Sequence, residues 1–469
     1  MSKIALFITL WVALLTGIQA QEIGSDGLGD AYFPQLGNGG YDVQHYTLDL
    51  SWDDQTNTIS GDVTILARSL IALDRFNLDF VGFEIEGITL DGVEAGYQRQ
   101  NQELIVIPAA SIPADEVFEV TISYTGIPGK NTKIAPYDRF AIGWVRHENG
   151  VYVASEPNGS SRWFPVNDHP LDKATYTFRI MVPDRYVVAT NGLLQEIIDH
   201  PDPTTTHIWE ASDQMASYLV TINIGNFILQ QSEGPSGLPI RNYFPADDAA
   251  ELTRIFAPQA EMIEFFTHLF GPYPFEAAGA VVADDNLSFA LETQTLVLYG
   301  RNVALSRFSA ESVIAHELAH QWFGNSVSLA QWKDIWLNEG FATYAELLWR
   351  EHKDGRAAMQ TELDDYYAII ANQALAFVAP GNPPQKDLFN GGVYLRGAWA
   401  LHALRLEVGD EVFFQIVKTY YDRFKFRNAT TEDFIALAEE ISGTDLSKLF
   451  EGWLFAQRVP AQPQTGTGS

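Results

Sequence analysis

A chain of 469 residues, 46% hydrophobic and 13% aromatic, is too long for one domain of ordinary size and calls for two or three, each burying its own core. Its 60 acidic against 29 basic residues give a formal charge of −31, which argues against nucleic acid and anionic membrane surfaces as partners. There is no cysteine, so no disulfide staples the fold, no thiol serves as a nucleophile and no lipid-bearing cysteine is present.

Residues 1–20 read as a signal peptide: Lys3 supplies the positive start, "IALFITLWVALLTG" the apolar stretch, and "IQA" a small-residue cleavage point after Ala20. The competing reading, an uncleaved anchor helix, is opposed by an apolar run that is short for a bilayer. The expected product is exported, secreted or periplasmic, with no stable membrane association once the signal is removed. Residues 21–40 are expected to be an N-terminal linker. From 41 to 231 the chain shows short alternating runs such as "HYTLDLSW", "TISGDVTILARS" and "TYTFRIMVP", separated by Gly, Asn, Asp and Pro clusters. That pattern predicts an antiparallel β-sheet domain. The break-rich "SEGPSGLP", 232–239, is the linker candidate.

Between 240 and 457 the period becomes helical, in "DDAAELTRIFAPQAEMIEFFTHLFG", "ESVIAHELAHQWFG", "VYLRGAWALHALRLEV" and later runs. Two strand-like stretches, "AGAVVAD" and "LETQTLVLY", lie between the first two helices, so this part is expected to be an α+β domain dominated by helices. The polar end, 458–469, has no apolar face to bury and is expected to be disordered.

His316-Glu317-Leu318-Ala319-His320 places two imidazoles four residues apart. On a helix they share one face and can reach one ion, with Glu317 beside them as a general base. Ser309 suits the helix start and Gly324 its end. A catalytic zinc takes three protein ligands, and Glu339 in "WLNEGFATYAE" is the third candidate. Taken alone, the pentapeptide also fits two ordinary helix histidines, and Glu339 an acid near a helix N-terminus.

"HELAHQWFGNSV" followed by "WLNEGFATY" resembles the gluzincin zinc metallopeptidases of the aminopeptidase N and leukotriene-hydrolase type. "MASYLVTINIGNF" and "SSRWFPVNDHPLDKATYTFRIMVP" resemble further segments of that family, although Val166 and His169 replace its usual cysteine and acid, so neither inherits a role. The resemblance implies a saddle-like β-sheet domain on a thermolysin-like catalytic domain, one zinc per chain, and a short form lacking the family's helical C-terminal domain. It further implies that Tyr394, in "GGVYLRGAWALHAL", stabilises the oxyanion, the alternative being a core tyrosine. Glu292 in "FALETQTL" and Glu156 in "ASEPNGSSRWFP" are then the substrate-binding acids that hold a free ammonium, the alternative for Glu156 being a solvated loop acid. Phe289 and Thr293 replace the glycine and asparagine of that motif. The implied function is a secreted zinc aminopeptidase acting on peptides with a free N-terminus. A thermolysin-like endopeptidase and a catalytically silent binding protein are the alternatives. His268 and His402 are expected to be packed or surface residues, and Trp322, Trp332 and Trp336 to pack the two metal-bearing helices together.

Overall fold

The alternation after Tyr41 becomes a strand, Tyr41–Asp53, whose Tyr46, Leu48, Leu50 and Trp52 face inward at every second position. A bulge between Val43 and His45 resets the phase, so that Tyr41 and Val43 are buried as well. In this computed structural model, residues 24–129, 142–306, 309–372 and 378–463 are described; the expected signal peptide lies outside them. Among the described residues no helix is long and apolar enough to cross a membrane.

Tyr41–Asp53 sits within an eight-stranded sheet whose order is Leu193–Asp199, Thr204–Ala216, Lys173–Pro183, Tyr41–Asp53, Thr58–Ser69, Val117–Gly126, Glu84–Leu90 and Val93–Glu94. Every pairing is antiparallel except one, Tyr41–Asp53 with Lys173–Pro183, which is parallel. The expected antiparallel sheet is therefore mixed. A parallel pair needs a long crossover, and here the whole of residues 54–172 supplies it, which local alternation does not reveal. A second sheet, of four strands, joins Val187–Thr190, Ile222–Gly225, Gly150–Ala154 and Gly143–His147.

The chain leaves that sheet at Gly225 and enters a five-stranded one at Phe227. Its first two strands, Phe227–Glu233 and Pro239–Pro245, form a hairpin. The stretch 232–239, expected as an interdomain linker, is the turn of this hairpin, with Ser236 and Gly237 at φ 59° and 78°. Linkers and tight turns draw on the same residues, so composition alone does not separate them. The middle strand, Ala278–Ala283, is buried throughout and parallel to both neighbours, as an uninterrupted apolar run requires.

Helices follow, chiefly Ala310–Ala319, Trp336–Asp354, Arg356–Asn372, Gly397–Val408, Asp410–Phe424 and Thr431–Ser442. The last opens with a capping box between Thr430 and Asp433. Two expectations for the ends are corrected. The segment before Tyr41 is a strap rather than a loose linker: the Asp30 carboxylate accepts from Trp332 N at 2.8 Å and lies 3.3 Å from His169 Nε2, and the Tyr32 hydroxyl donates to Asn382 Oδ1 at 3.1 Å. At the other end, Pro460 O accepts from the Tyr367 hydroxyl and Gln462 Nε2 donates to Asp364, so the described part of the tail lies on the helix Arg356–Asn372. Residues 464–469 lie outside the described set.

The β-sheet part and the helical part are also joined by Lys173. Its buried ammonium donates to the carbonyls of Asn325, Ser326 and Arg427 at 3.2, 3.1 and 3.4 Å. Burial draws the amine down to about 7, while the three carbonyls match the three donors of an ammonium. Lys173→Met keeps the apolar stem and takes a donor from all three carbonyls, of which Asn325 O keeps the Ser328 hydroxyl, so it is expected to cost about 1–3 kcal/mol. A lowered urea midpoint checks this; an unchanged midpoint refutes it.

Candidate metal centre and substrate cavity

The helix Ala310–Ala319 brings His316 to its last turn, and His320 follows with helical φ −57° and ψ −25°. The two rings therefore stay on one face, their centroids 4.8 Å apart. Ser309 occupies the N-cap position without capping through its side chain; its Oγ pairs with Ser306 Oγ instead. Helical hydrogen bonding stops short of Gly324, which at φ 130° lies in the return loop and donates to Val327 O.

The helix Trp336–Asp354 delivers Glu339, whose Oε2 is 3.2 Å from His316 Nε2 and 3.5 Å from His320 Nε2. Ligand atoms of His316, His320 and Glu339 all lie within 4.8 Å of one another. A second group, Glu292, Glu317 and His320, meets the same limit, but the first set offers two imidazoles and suits zinc better.

The tautomers support the same choice. His316 Nδ1 is 2.7 Å from Glu346 Oε1, and His320 Nδ1 is 3.1 Å from Phe323 O. Both acceptors require Nδ1–H, which leaves each Nε2 lone pair directed at the shared point. Buried Glu317 Oε2, Glu292 Oε1, Glu156 Oε1 and His320 Nε2 have no hydrogen-bond partner among the described residues. Burial opposes charge on the imidazoles, yet Glu339 and Glu346 hold His316 well above its usual value, and Glu292 and Glu339 raise His320. Burial likewise opposes ionisation of Glu339, but the two imidazoles bring its carboxyl down to about 2. These donors form a basin that attracts positive charge, and they fit a zinc ion.

The glutamate helix also positions Tyr394. A Cβ on Gly340 would stand 3.0 Å from the Gly397 backbone, and one on Gly397 would stand 3.0 Å from Gly340 Cα. Only two glycines allow so close a crossing. The π-helical turn Gly392–Arg396 just before it carries Tyr394 beside the metal ligands, its ring stacked on His316 at 6.0 Å and 18°.

"LETQTLVLY" does not form one strand. Ala290–Leu291 and Val297–Gly300 pair antiparallel, and between them Thr293 N donates to Leu291 O while Thr295 takes φ 64°. Glu292 is thereby turned off the sheet. Its carbonyl accepts from Gln321 Nε2 at 3.2 Å and Asn325 Nδ2 at 2.7 Å, which ties it to the segment after His320. Glu156 follows the strand Gly150–Ala154 of the four-stranded sheet.

One cavity of about 510 Å³ is lined by Glu156, Glu292, His316, Glu317, His320, Glu339 and Tyr394; all seven residues singled out in the sequence thus meet there. Sequence reading gave no role to Gln321, Asn325 or Glu346. Glu346 was detectable in principle, since it follows Glu339 by two helical turns and so shares its face. The tryptophans face elsewhere than expected. Trp322 packs on Phe266, Phe270 and Tyr273, Trp332 on Phe33 and Tyr218, and Trp336 on Phe434, so they anchor the metal-bearing segments outward rather than to each other. His402 is buried against the Tyr344 hydroxyl and His268 is exposed.

Comparison with known proteins matches the Peptidase M1 N-terminal domain to residues 42–219 and the Peptidase family M1 domain to residues 256–453. Glutamyl aminopeptidase of Mus musculus is 27% identical over 401 residues, covering 79% of this chain and 41% of that protein. Probable aminopeptidase 1 of Sulfurisphaera tokodaii is 27% identical over 418 residues, covering 82% and 50%. The chain thus spans half or less of the length of these relatives. Among solved structures, the M1 zinc metallopeptidase from Deinococcus radiodurans superposes with a TM-score of 0.86 at 31% identity, covering 94% of this chain and 100% of that one. A mutant of it bound to a Tyr-Ser-Ala substrate gives 0.85 at 30% identity.

Glu346→Gln keeps an acceptor but loses the charge that orients His316. It is expected to weaken zinc binding about 10- to 100-fold without unfolding the protein, as read by competition with a chromophoric chelator. His320→Ala is expected to lose zinc outright by elemental analysis. Retention of zinc by His320→Ala would disprove the ligand set.

Proposed function

The chain belongs to peptidase family M1, and on that premise we propose that it is a zinc aminopeptidase releasing the N-terminal residue from peptides, with one zinc per chain held by His316, His320 and Glu339. The signal-peptide pattern in residues 1–20 supports export as part of the same reading. The observation that carries it is the pairing, in one cavity, of the His/His/Glu set with two further carboxylates, Glu292 and Glu156, each with a buried oxygen lacking a partner among the described residues. A thermolysin-like endopeptidase has use for the first group and none for the second.

When bound, zinc supplies a Lewis acid for the scissile carbonyl and an activated water. Glu317 handles the protons. Burial raises its carboxyl, against the pull of His316 and His320, and its place in the cavity beside both histidines lets it take a proton from the attacking water and return one to the leaving amine. Burial, with Glu339, Glu156, Glu292 and Glu317 close by, holds the Tyr394 hydroxyl well above its usual value. It stays protonated and donates to the oxygen that gains charge in the transition state. Burial also raises Glu292 and Glu156, tempered at Glu292 by His320. A substrate ammonium supplies the positive charge that favours their ionised forms, and so fixes the first peptide bond relative to Glu317.

Glu317→Gln is expected to retain zinc while losing ~100- to 10,000-fold in turnover. Tyr394→Phe should lower kcat more than it raises KM; an unchanged kcat returns Tyr394 to a packing role. Glu292→Ala should weaken cleavage of a free-amine peptide roughly tenfold to a hundredfold, while the parent should cleave the N-acetylated peptide poorly. Equal cleavage of both peptides by the parent assigns the site to an endopeptidase.

A further inference from the structure

Glu346 is gripped at both of its carboxylate oxygens. Its Oε1 lies 2.7 Å from His316 Nδ1, and its Oε2 accepts from the Ser312 hydroxyl, also at 2.7 Å. Ser312 stands four residues before His316 on the helix Ala310–Ala319, so the two share a face and meet the carboxylate from successive turns. The last torsion of a glutamate is broad and soft. One hydrogen bond therefore leaves the carboxylate plane free to swing, whereas two fix it. A competing partner lies close by. Glu346 is a wall common to the metal cavity and to a second cavity of about 690 Å³, and Ser312 and Arg350 line only the second. Arg350 follows Glu346 by four residues on the helix Trp336–Asp354, the order in which an acid and a base on a helix attract best. Its half-exposed guanidinium is turned the other way, pairing with Asp354 at 2.9 Å.

We propose that Ser312 is a positioning residue of the metal centre: its hydroxyl holds the Glu346 carboxylate against His316 and away from Arg350. The inference rests on the proposed zinc set of His316, His320 and Glu339. Without the hydroxyl, Glu346 Oε2 loses its donor, and the carboxylate gains by turning outward to a guanidinium, which offers a carboxylate two parallel N–H donors. His316 Nδ1 then loses the acceptor that fixes its proton, and Nε2 no longer has one tautomer and one direction. The serine thus acts on the metal through two hydrogen bonds in series, from a cavity that the metal does not share.

The test is the zinc affinity of the full chain, measured by competition with a chromophoric chelator. Ser312→Ala should weaken it about tenfold, the lower end of what a group supporting a metal ligand is worth. Alanine is the better helix former, so helix instability does not produce that loss. Ser312→Thr keeps the hydroxyl and should restore most of the affinity. On a Glu346→Ala background, Ser312→Ala should cost nothing further, because a residue acting only through Glu346 has nothing left to act on. Arg350→Ala should recover most of the loss in the Ser312→Ala chain while leaving the parent's affinity nearly unchanged. Unchanged affinity in Ser312→Ala, a threonine variant as weak as the alanine one, a loss that adds in full to that of Glu346→Ala, or no recovery with Arg350→Ala overturns this inference and leaves the ligand set standing. A parent chain that binds no zinc overturns both.

Discussion

Everything at the centre depends on two imidazoles whose Nδ1 protons are already committed. Because Glu346 holds His316 and Phe323 O holds His320, each Nε2 has one tautomer and one direction. Glu339 completes the convergence from a different helix. The site is thus set by hydrogen bonds one layer behind the ligands, which fix ring orientation before any ion arrives.

That layer extends well beyond the two helices. The Asn325 side chain donates to Glu292 O, its backbone N–H donates to His320 O, and its carbonyl accepts from Lys173. A metal-ligand segment, a substrate-facing acid and a strand of the eight-stranded sheet are joined through one residue. The glycine crossing at Gly340 and Gly397 does the equivalent work for Glu339 and Tyr394. Close backbone contact leaves little slack, so the spacing between ligand and hydroxyl is held by main chain rather than by flexible side chains.

The cavity belongs to neither half of the molecule. Glu156 comes from the four-stranded sheet, while the His/His/Glu set comes from helices. Asp30, Lys173 and Asn191 each bridge the two parts, Asn191 Nδ2 donating to Gln294 O at 2.7 Å near the turn that carries Glu292. An arrangement of this kind lets one half present an acid to a substrate held by the other, at the cost of requiring a fixed interface between them.

Periodicity made the two halves legible, because alternation and a 3.6-residue repeat are local consequences of which face is buried. The spacing of His316, Glu317 and His320, and the distance to Glu339, were equally visible, since ligands on helices obey helical geometry. Glu292, Glu156 and Tyr394 entered only through resemblance to a known family, not through any local pattern. Tertiary structure decided the rest. The parallel pair depends on a crossover of more than a hundred residues, and "SEGPSGLP" became a turn because its flanking strands found each other in one sheet. "LETQTLVLY" broke at Glu292 because Thr295 adopts a left-handed conformation and Gln321 and Asn325 clamp the carbonyl of Glu292. Glu346 acquired its part only when the two helices crossed. A sequence records which faces are apolar and which ligands share a helix; which distant backbones meet is settled by packing, and the substrate-facing half of this site is made of such meetings.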